Sequence, residues 1–364
     1  MAQDKAVLIF HLGSLGDSTV AIPCYREIAR RHPNERRYLI TNAPLGTKRV
    51  PMEMLLQPMG LIDGSISYPM HLRKPEDMRE LRRQIMKLKA TTLYYLTPEI
   101  RLFAMLRHCC FFLACGVTSI KGVPWSRDLN TPREIVPGKL WETEGSRLLR
   151  VVGAKQNADA PADSERALEL SEIEQEAAEA ALSRCEGLDR FIAVSVGGKF
   201  PINDWGDENW LHLLGLISQR HPELGVVLVG SADERKRNEG LLKAWRGPRL
   251  NACGLFAPRE TAAVLSRAAL FLGHDTATLH LAAATGTQVI GIYSGRNLPG
   301  KWFSGRPGDV FFFQQPPCFG CLFEEISECP NDRICMSAHN PLEILASVEL
   351  KLEATALAGV QATG

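Results

Sequence analysis

No apolar run in this chain of 364 residues reaches the roughly 18 residues that a membrane-spanning helix needs. The nearest candidate, Cys109 to Val117, is too short and follows Arg107 and His108. Several signatures are also absent. No Gly-x-Gly-x-x-Gly follows the first apolar strand, which argues against a nicotinamide dehydrogenase. No Gly-x-x-x-x-Gly-Lys-Ser/Thr loop is present, which argues against a P-loop nucleotidase. No Asp-x-Asp pair advertises a divalent metal on a diphosphate, and no Gly-x-Ser-x-Gly elbow marks a serine hydrolase. Short repeats and low-complexity tracts are missing too. The first residues, Met1 to Lys5, run into a strand-like segment and do not read as a signal peptide. With ten cysteines, that points to a reducing, cytoplasmic setting and mostly free thiols.

What is present fits a soluble globular protein of about two domains, 45% hydrophobic and 23% charged. Net charge is +1, but it is unevenly spread: residues 1–150 hold 23 Lys/Arg and 14 Asp/Glu, so the first part is basic and the rest acidic. Much of the excess lies between Arg73 and Lys89, including Arg79, Arg82 and Arg83. This cluster reads either as a solvated helix face or as a surface for an anionic acceptor or lipid. No aromatic residues interleave with it, which disfavours nucleic acid.

Apolar runs alternate with helix-like segments, the pattern of parallel α/β units. Strands are expected at Ala6–Leu12, Arg37–Thr41, Thr92–Leu96 and Ser119–Gly122, with helices at Val20–Arg31, Pro75–Lys89 and Pro98–Cys115. The alternation restarts at Phe191, with strands at Val226–Gly230, Leu270–Gly273 and Val289–Tyr293. Helices are expected there at Glu208–Arg220, Glu234–Trp245, Arg259–Arg267 and Thr278–Thr285. The expected organisation is a Rossmann-like domain over 1–160, a linker and connecting helix over 161–188, and a second such domain over 189–364. The crevice between two such domains is the default ligand site.

Four strand ends carry candidate chemistry. Gly13, Ser14 and Gly16 turn the chain after the first strand and put Asp17 where a base could meet a substrate. Taken by itself the segment favours a simple helix cap. After Leu270–Gly273 come Asp275, Thr276, Ala277 and His280. Free amides at that helix start, with the Thr276 hydroxyl and His280 one turn in, suit a pyrophosphate. The plain alternatives are a cap and a satisfied buried histidine. Lys199, after two glycines, could reach a phosphate or be an exposed loop lysine. Glu234, after Gly230, could accept ribose hydroxyls or complement a helix start. Cys318, Cys321, Cys329 and Cys335 lie within 18 residues, leaving zinc, disulfides or inert thiols open.

The segment Leu12-Gly13-Ser14-Leu15-Gly16-Asp17, with Pro23 beyond it, resembles the opening of glycosyltransferase family 9, the ADP-heptose:lipopolysaccharide heptosyltransferases. Gly273 to Gly286, Lys301-Trp302 and Cys335-Met336 are similar to later parts of that family. The resemblance implies a GT-B fold, two Rossmann-like domains whose parallel sheets face a central cleft. It implies acceptor binding in the first domain and nucleotide-sugar binding in the second, with no cofactor and no catalytic metal. Asp17 would be the general base. Thr276, nearby amides and His280 would stabilise the leaving group, with Lys199 helping. The implied partners are a nucleotide-sugar donor and an anionic lipid-linked glycan acceptor, with peripheral contact at the inner membrane face. Two departures stand out: Ala277 replaces the usual glycine, and Asp204-Trp205-Gly206 stands where a lysine precedes Trp-Pro. The alternatives are a non-catalytic sugar-nucleotide-binding protein or another GT-B enzyme, such as a nucleotide-sugar epimerase.

Overall fold

The structure, a computed structural model, describes residues 5–42, 50–69, 75–97, 101–154 and 163–362. Arg73, Lys74, the start of the helix expected at Pro98 and the break at 159–162 lie outside the described residues. The chain divides into two compact units, Met1–Ile135 with Glu142–Arg166, and Val136–Trp141 with Ala167–Gly364.

The first unit is built on five strands: Ala6–Phe10 (β1), Arg36–Asn42 (β2), Gly64–Tyr68 (β3), Thr92–Tyr95 (β4) and Ser119–Lys121 (β5). They form one sheet in the order β3-β2-β1-β4-β5, with every neighbouring pair parallel. Each residue of β1 is apolar and buried, as a strand covered on both faces must be. Phe10, its last residue, meets Tyr68, Tyr95, His108 and Phe112 edge-on at 5.0–5.3 Å. Beyond it, Glu134–Val136 (β6) and Leu140–Trp141 (β7) form a two-stranded ribbon.

The second unit repeats the plan. Its strands are Phe191–Ser195 (β8), Gly225–Leu228 (β9), Arg249–Asn251 (β10), Leu270–His274 (β11), Val289–Ile292 (β12) and Val310–Phe312 (β13). Their order is β10-β9-β8-β11-β12-β13, again parallel throughout. Trp205, Trp210 and Trp245 fill its core together with Leu270, Leu272 and the inner face of a last helix, Pro341–Ala362. Both sheets have the doubly wound order, and the fold is GT-B. In such sheets, ligands bind at the carboxyl edge where the strand order reverses. That point lies between β1 and β4 in one unit and between β8 and β11 in the other.

Several elements differ from expectation. The first helix begins at Leu15, not Val20, and a second runs Ile22–Arg31. Ala21 interrupts them because Pro23, early in the second helix, has no amide to continue the first. Asp17 therefore lies inside a first turn rather than ahead of the helix. The segment expected as one helix over Glu234–Trp245 is a 3₁₀ turn, the helix Arg235–Leu241 and another 3₁₀ turn. β3, β10, β13, the helix Glu144–Val151 and the last helix were not anticipated.

Buried histidines contribute to the pH response. Burial pushes the pKa of His11, His108 and His274 from 6.5 down to about 4. Each is neutral in the fold, whereas the unfolded chain takes up a proton below about pH 6.5. Stability is therefore full above that pH and falls as pH drops toward 4, by roughly 1.4 kcal/mol per pH unit for each histidine. Denaturant midpoints measured from pH 7 to 4 should show this slope, and His274→Gln should flatten part of it. A midpoint constant over that range would contradict buried neutral histidines.

Candidate functional site

The loop after β1 closes on its own carboxylate. Ser14 is the N-cap of helix Leu15–Val20, and Asp17 is its third residue. Asp17 Oδ2 accepts from the Ser14 amide at 2.6 Å and from the Ser14 hydroxyl at 2.7 Å. Charge-assisted bonds of this kind are short and strong, and they hold the carboxylate in one place. Gly13 leaves the necessary room: a methyl there would lie 2.6 Å from Asp17 Cβ. Asn42, at the end of β2, takes the Gly13 amide on its side-chain oxygen at 2.8 Å. Gly16 is buried within the helix turn. Behind the loop, the His11 ring meets the Tyr25 hydroxyl at 2.9 Å. A buried ion pair, Arg147 to Glu144 at 2.5 Å, lies close enough to His11 to act on it electrostatically. Asp17 caps the helix and remains half-exposed at the carboxyl edge, so the capping and functional readings are compatible.

In the second unit three loops meet at the corresponding edge. β8 and β11 are neighbours with Ser195 opposite Gly273, so the loops that follow them flank the reversal point. Gly198 lies against the Thr276 methyl, where its own Cβ would sit at 3.6 Å. Glu234, from the loop after β9, lays its carboxylate over two glycines. A Cβ on Gly197 would be 1.5 Å from Glu234 Oε1, and one on Gly230 would be 2.2 Å from Oε2. The same Oε2 accepts from the Ser231 amide at 2.7 Å.

Thr276 is the N-cap of helix Ala277–Ala284, but its hydroxyl makes no capping bond. That hydroxyl is buried and has no hydrogen-bond partner among the described residues. A buried polar group in that state costs free energy until something bonds it. Asp275 sits beside it, 3.6 Å from His280 Nε2 and 3.5 Å from the Asn297 amide nitrogen. The His280 ring is buried, with Trp302 at 6.2 Å. At the other end of this helix Arg306 gathers the carbonyls of Ala283, Gly286 and Thr287 at 2.8–3.0 Å. Lys199 is exposed, its ammonium 4.6 Å above the Phe200 ring, with the Arg296 guanidinium 4.0 Å from the same ring. Thus Glu234, Asp275, Thr276, Ala277 and His280 stand at one edge. Lys199 follows the same strand as Gly197 and Gly198. Asn42, Asn297 and Arg296 join these sites with no motif to announce them.

Cys318, Cys321, Cys329 and Cys335 are free thiols that line one small cavity with Ile202 and Phe323. Among the described residues, no three His, Cys, Asp or Glu side chains are placed to hold a metal ion.

Comparison with known proteins gives a partial match to one family model, and a fold. Residues 140–304 match the model of glycosyltransferase family 9 (heptosyltransferase). The curated proteins contain no match. Among solved structures, a family 9 glycosyl transferase from Veillonella parvula DSM 2008 is 14% identical, with a TM-score of 0.71 over 96% of this chain and 98% of that one. The E. coli ADP-heptose lps heptosyltransferase II is 14% identical, with a TM-score of 0.65 over 96% and 99%. E. coli heptosyltransferase WaaC, solved with ADP, is 12% identical, with a TM-score of 0.62 over 95% and 99%. At these identities the structural likeness concerns the fold.

The glycine cradle gives a local test. In Gly197→Ala the nearest atoms to the added methyl are the carboxylate end of Glu234, so that flexible end should swing away while the fold holds. Stability should fall by only about 1 kcal/mol, the ordinary cost of losing a cap. The Ser231 amide, losing a bond to a charged acceptor, should exchange with solvent about tenfold faster. Unchanged exchange would show that Glu234 does not hold that amide.

Proposed function

We propose that this chain, carrying a glycosyltransferase family 9 region over residues 140–304, is an inverting glycosyltransferase. It moves a sugar from a nucleotide-sugar donor onto a hydroxyl of an anionic, lipid-linked glycan at the cytoplasmic face of a membrane. The observation that carries the reading is the buried, unpartnered Thr276 hydroxyl at a helix start, beside Asp275 and His280. A diphosphate oxygen would satisfy that hydroxyl and the neighbouring amides together. ADP-heptose is the leading donor, because one of the structural relatives is named for it and another was solved with ADP.

In this reading the second unit binds the donor. Glu234 takes the ribose hydroxyls, while Thr276 and the amides from Ala277 onward hold the diphosphate. The first unit binds the acceptor, with Gly13, Ser14 and Gly16 shaping the loop. Asp17 takes the proton from the acceptor hydroxyl as its oxygen attacks the anomeric carbon. The bond from that carbon to the diphosphate breaks, and its electron pair leaves with the nucleoside diphosphate. Attack opposite the leaving group inverts the anomeric centre. Thr276, the helix amides, His280 and Lys199 meet the charge that develops on the diphosphate. These groups supply the counter-charge themselves, so the reading is metal-independent.

Ser14 occupies Asp17 Oδ2, which leaves Oδ1 as the oxygen to receive the proton. Asp17→Asn should keep the cap, since an amide oxygen can still accept from Ser14, but it cannot act as a base. Turnover should fall by about 10²–10⁴ with ADP affinity within a few-fold. Near-normal turnover would remove Asp17 from the role of base. The donor itself is tested by mass spectrometry of products formed from a panel of sugar nucleotides. Donor binding without transfer to any acceptor would favour a non-catalytic nucleotide-sugar-binding protein.

A further inference from the structure

The helix Leu102–Ala114 is apolar on nearly every side, yet only part of it is covered. Met105, His108, Cys109 and Phe112 face the sheet. On the other side, Phe103 is 86% exposed, Leu102 57%, Leu113 54% and Leu106 38%. At 100° per residue these four positions, with Cys110 and Arg107, fall on one face about 140° wide. A surface helix ordinarily turns polar residues to water, so an outward apolar face of this size marks a contact.

Charge indicates what that contact is. From Arg101 to Arg127 the chain contains no Asp or Glu, while Arg101, Arg107, Lys121 and Arg127 are all exposed cations. The helix Pro75–Lys87 packs into the same core through Leu81 and Ile85 and adds Arg79, Arg82 and Lys87, also exposed. Arg82 lies near enough to the end of the apolar helix to act on Cys115. Trp125, 62% exposed, follows β5. An apolar face with a cationic surround and an exposed tryptophan matches an anionic lipid interface. There the apolar side chains enter the acyl boundary and the cations stay with the headgroups. A second copy would instead set these cations against their own kind.

Topology adds a position. In a parallel sheet all carboxyl ends share one edge, and each following helix starts there. Leu102 and Phe103 open the helix after β4, Trp125 follows β5, and Asp17 follows β1. The apolar end of the helix and the candidate base therefore stand on the same edge of the first unit.

We propose that this face docks the first unit on an anionic bilayer, with Leu102, Phe103, Leu106 and Leu113 inserted at the interface. The proposal rests on the transferase reading for its purpose, presenting Asp17 to a lipid-linked acceptor. Its chemistry is that of the surface alone.

Full-length protein is sedimented with vesicles of phosphatidylcholine mixed with phosphatidylglycerol, and with phosphatidylcholine alone. Binding is expected to the anionic vesicles, to weaken with salt, and to fall about tenfold or more in the double variant Phe103→Ser, Leu106→Ser. Both positions face water, so the variant should fold. Arg101→Glu provides an independent second variant and should weaken binding in the same direction. Binding that ignores lipid charge and these substitutions overturns the proposal. So does a dimer that the double variant splits while neither vesicle binds, which would make the face a self-association surface. The transferase reading is separable. The double variant should keep turnover on a water-soluble acceptor fragment, and Asp17→Asn should keep vesicle binding. Transfer without vesicle binding sinks the docking alone, and vesicle binding without transfer sinks the transferase alone.

Discussion

Parallel pairing on both sides of β1 and of β8 is the constraint from which each unit follows. A strand with neighbours on either edge and helices over either face has little contact with water, so its residues are apolar apart from Ser195 at the end of β8. Parallel neighbours also force long crossovers, which bring the chain back to start each strand at the same edge. The strand order reverses beside β1 and beside β8, and the chain that leaves those two strands is left uncovered by the helices. Candidate chemistry gathers there because the reversal point opens a crevice at the carboxyl ends of the strands.

The two edges treat their polar groups in opposite ways. In the first, Ser14 already holds one oxygen of Asp17, so the carboxylate is positioned before anything arrives. In the second, the Thr276 hydroxyl is withheld from the helix it caps and has no partner among the described residues. A fixed carboxylate suits a group that must meet a proton at a definite place. An unbonded hydroxyl among free amides suits a ligand that brings its own oxygens. The two arrangements are complementary parts of the transfer proposed above.

Much of this was legible in the sequence, for reasons that differ by element. Ala6-Val7-Leu8-Ile9 and Phe191-Ile192-Ala193-Val194 announce buried strands because no other environment accepts such runs. β3 escaped because only Ile66 and Tyr68 face inward, and β10 and β13 have three residues each, too few to show a period. The helix start at Leu15 had a readable signal in Ser14 followed three residues later by Asp17. So did the last helix, in the spacing of Ile344, Leu345, Val348 and Leu352. The site motifs were readable as residue types at strand ends. Whether the Thr276 hydroxyl finds a partner, or whether four cysteines converge on a point, depends on neighbours far along the chain. The outward face of Leu102–Ala114 was hidden for the same reason, since the sheet decides which side of an apolar helix is covered.

The Arg306 guanidinium has a consequence beyond fixing a helix end. It sits on the carbonyl terminus of the same short helix whose amide terminus meets Thr276, about 12 Å away at 1.5 Å per residue. A cation at one pole and an anion at the other stabilise a single aligned set of peptide dipoles. The two are therefore linked thermodynamically, each polarising the backbone in the sense that favours the other. An anion bound at the amide pole would owe part of its affinity to Arg306 at the far end of the helix.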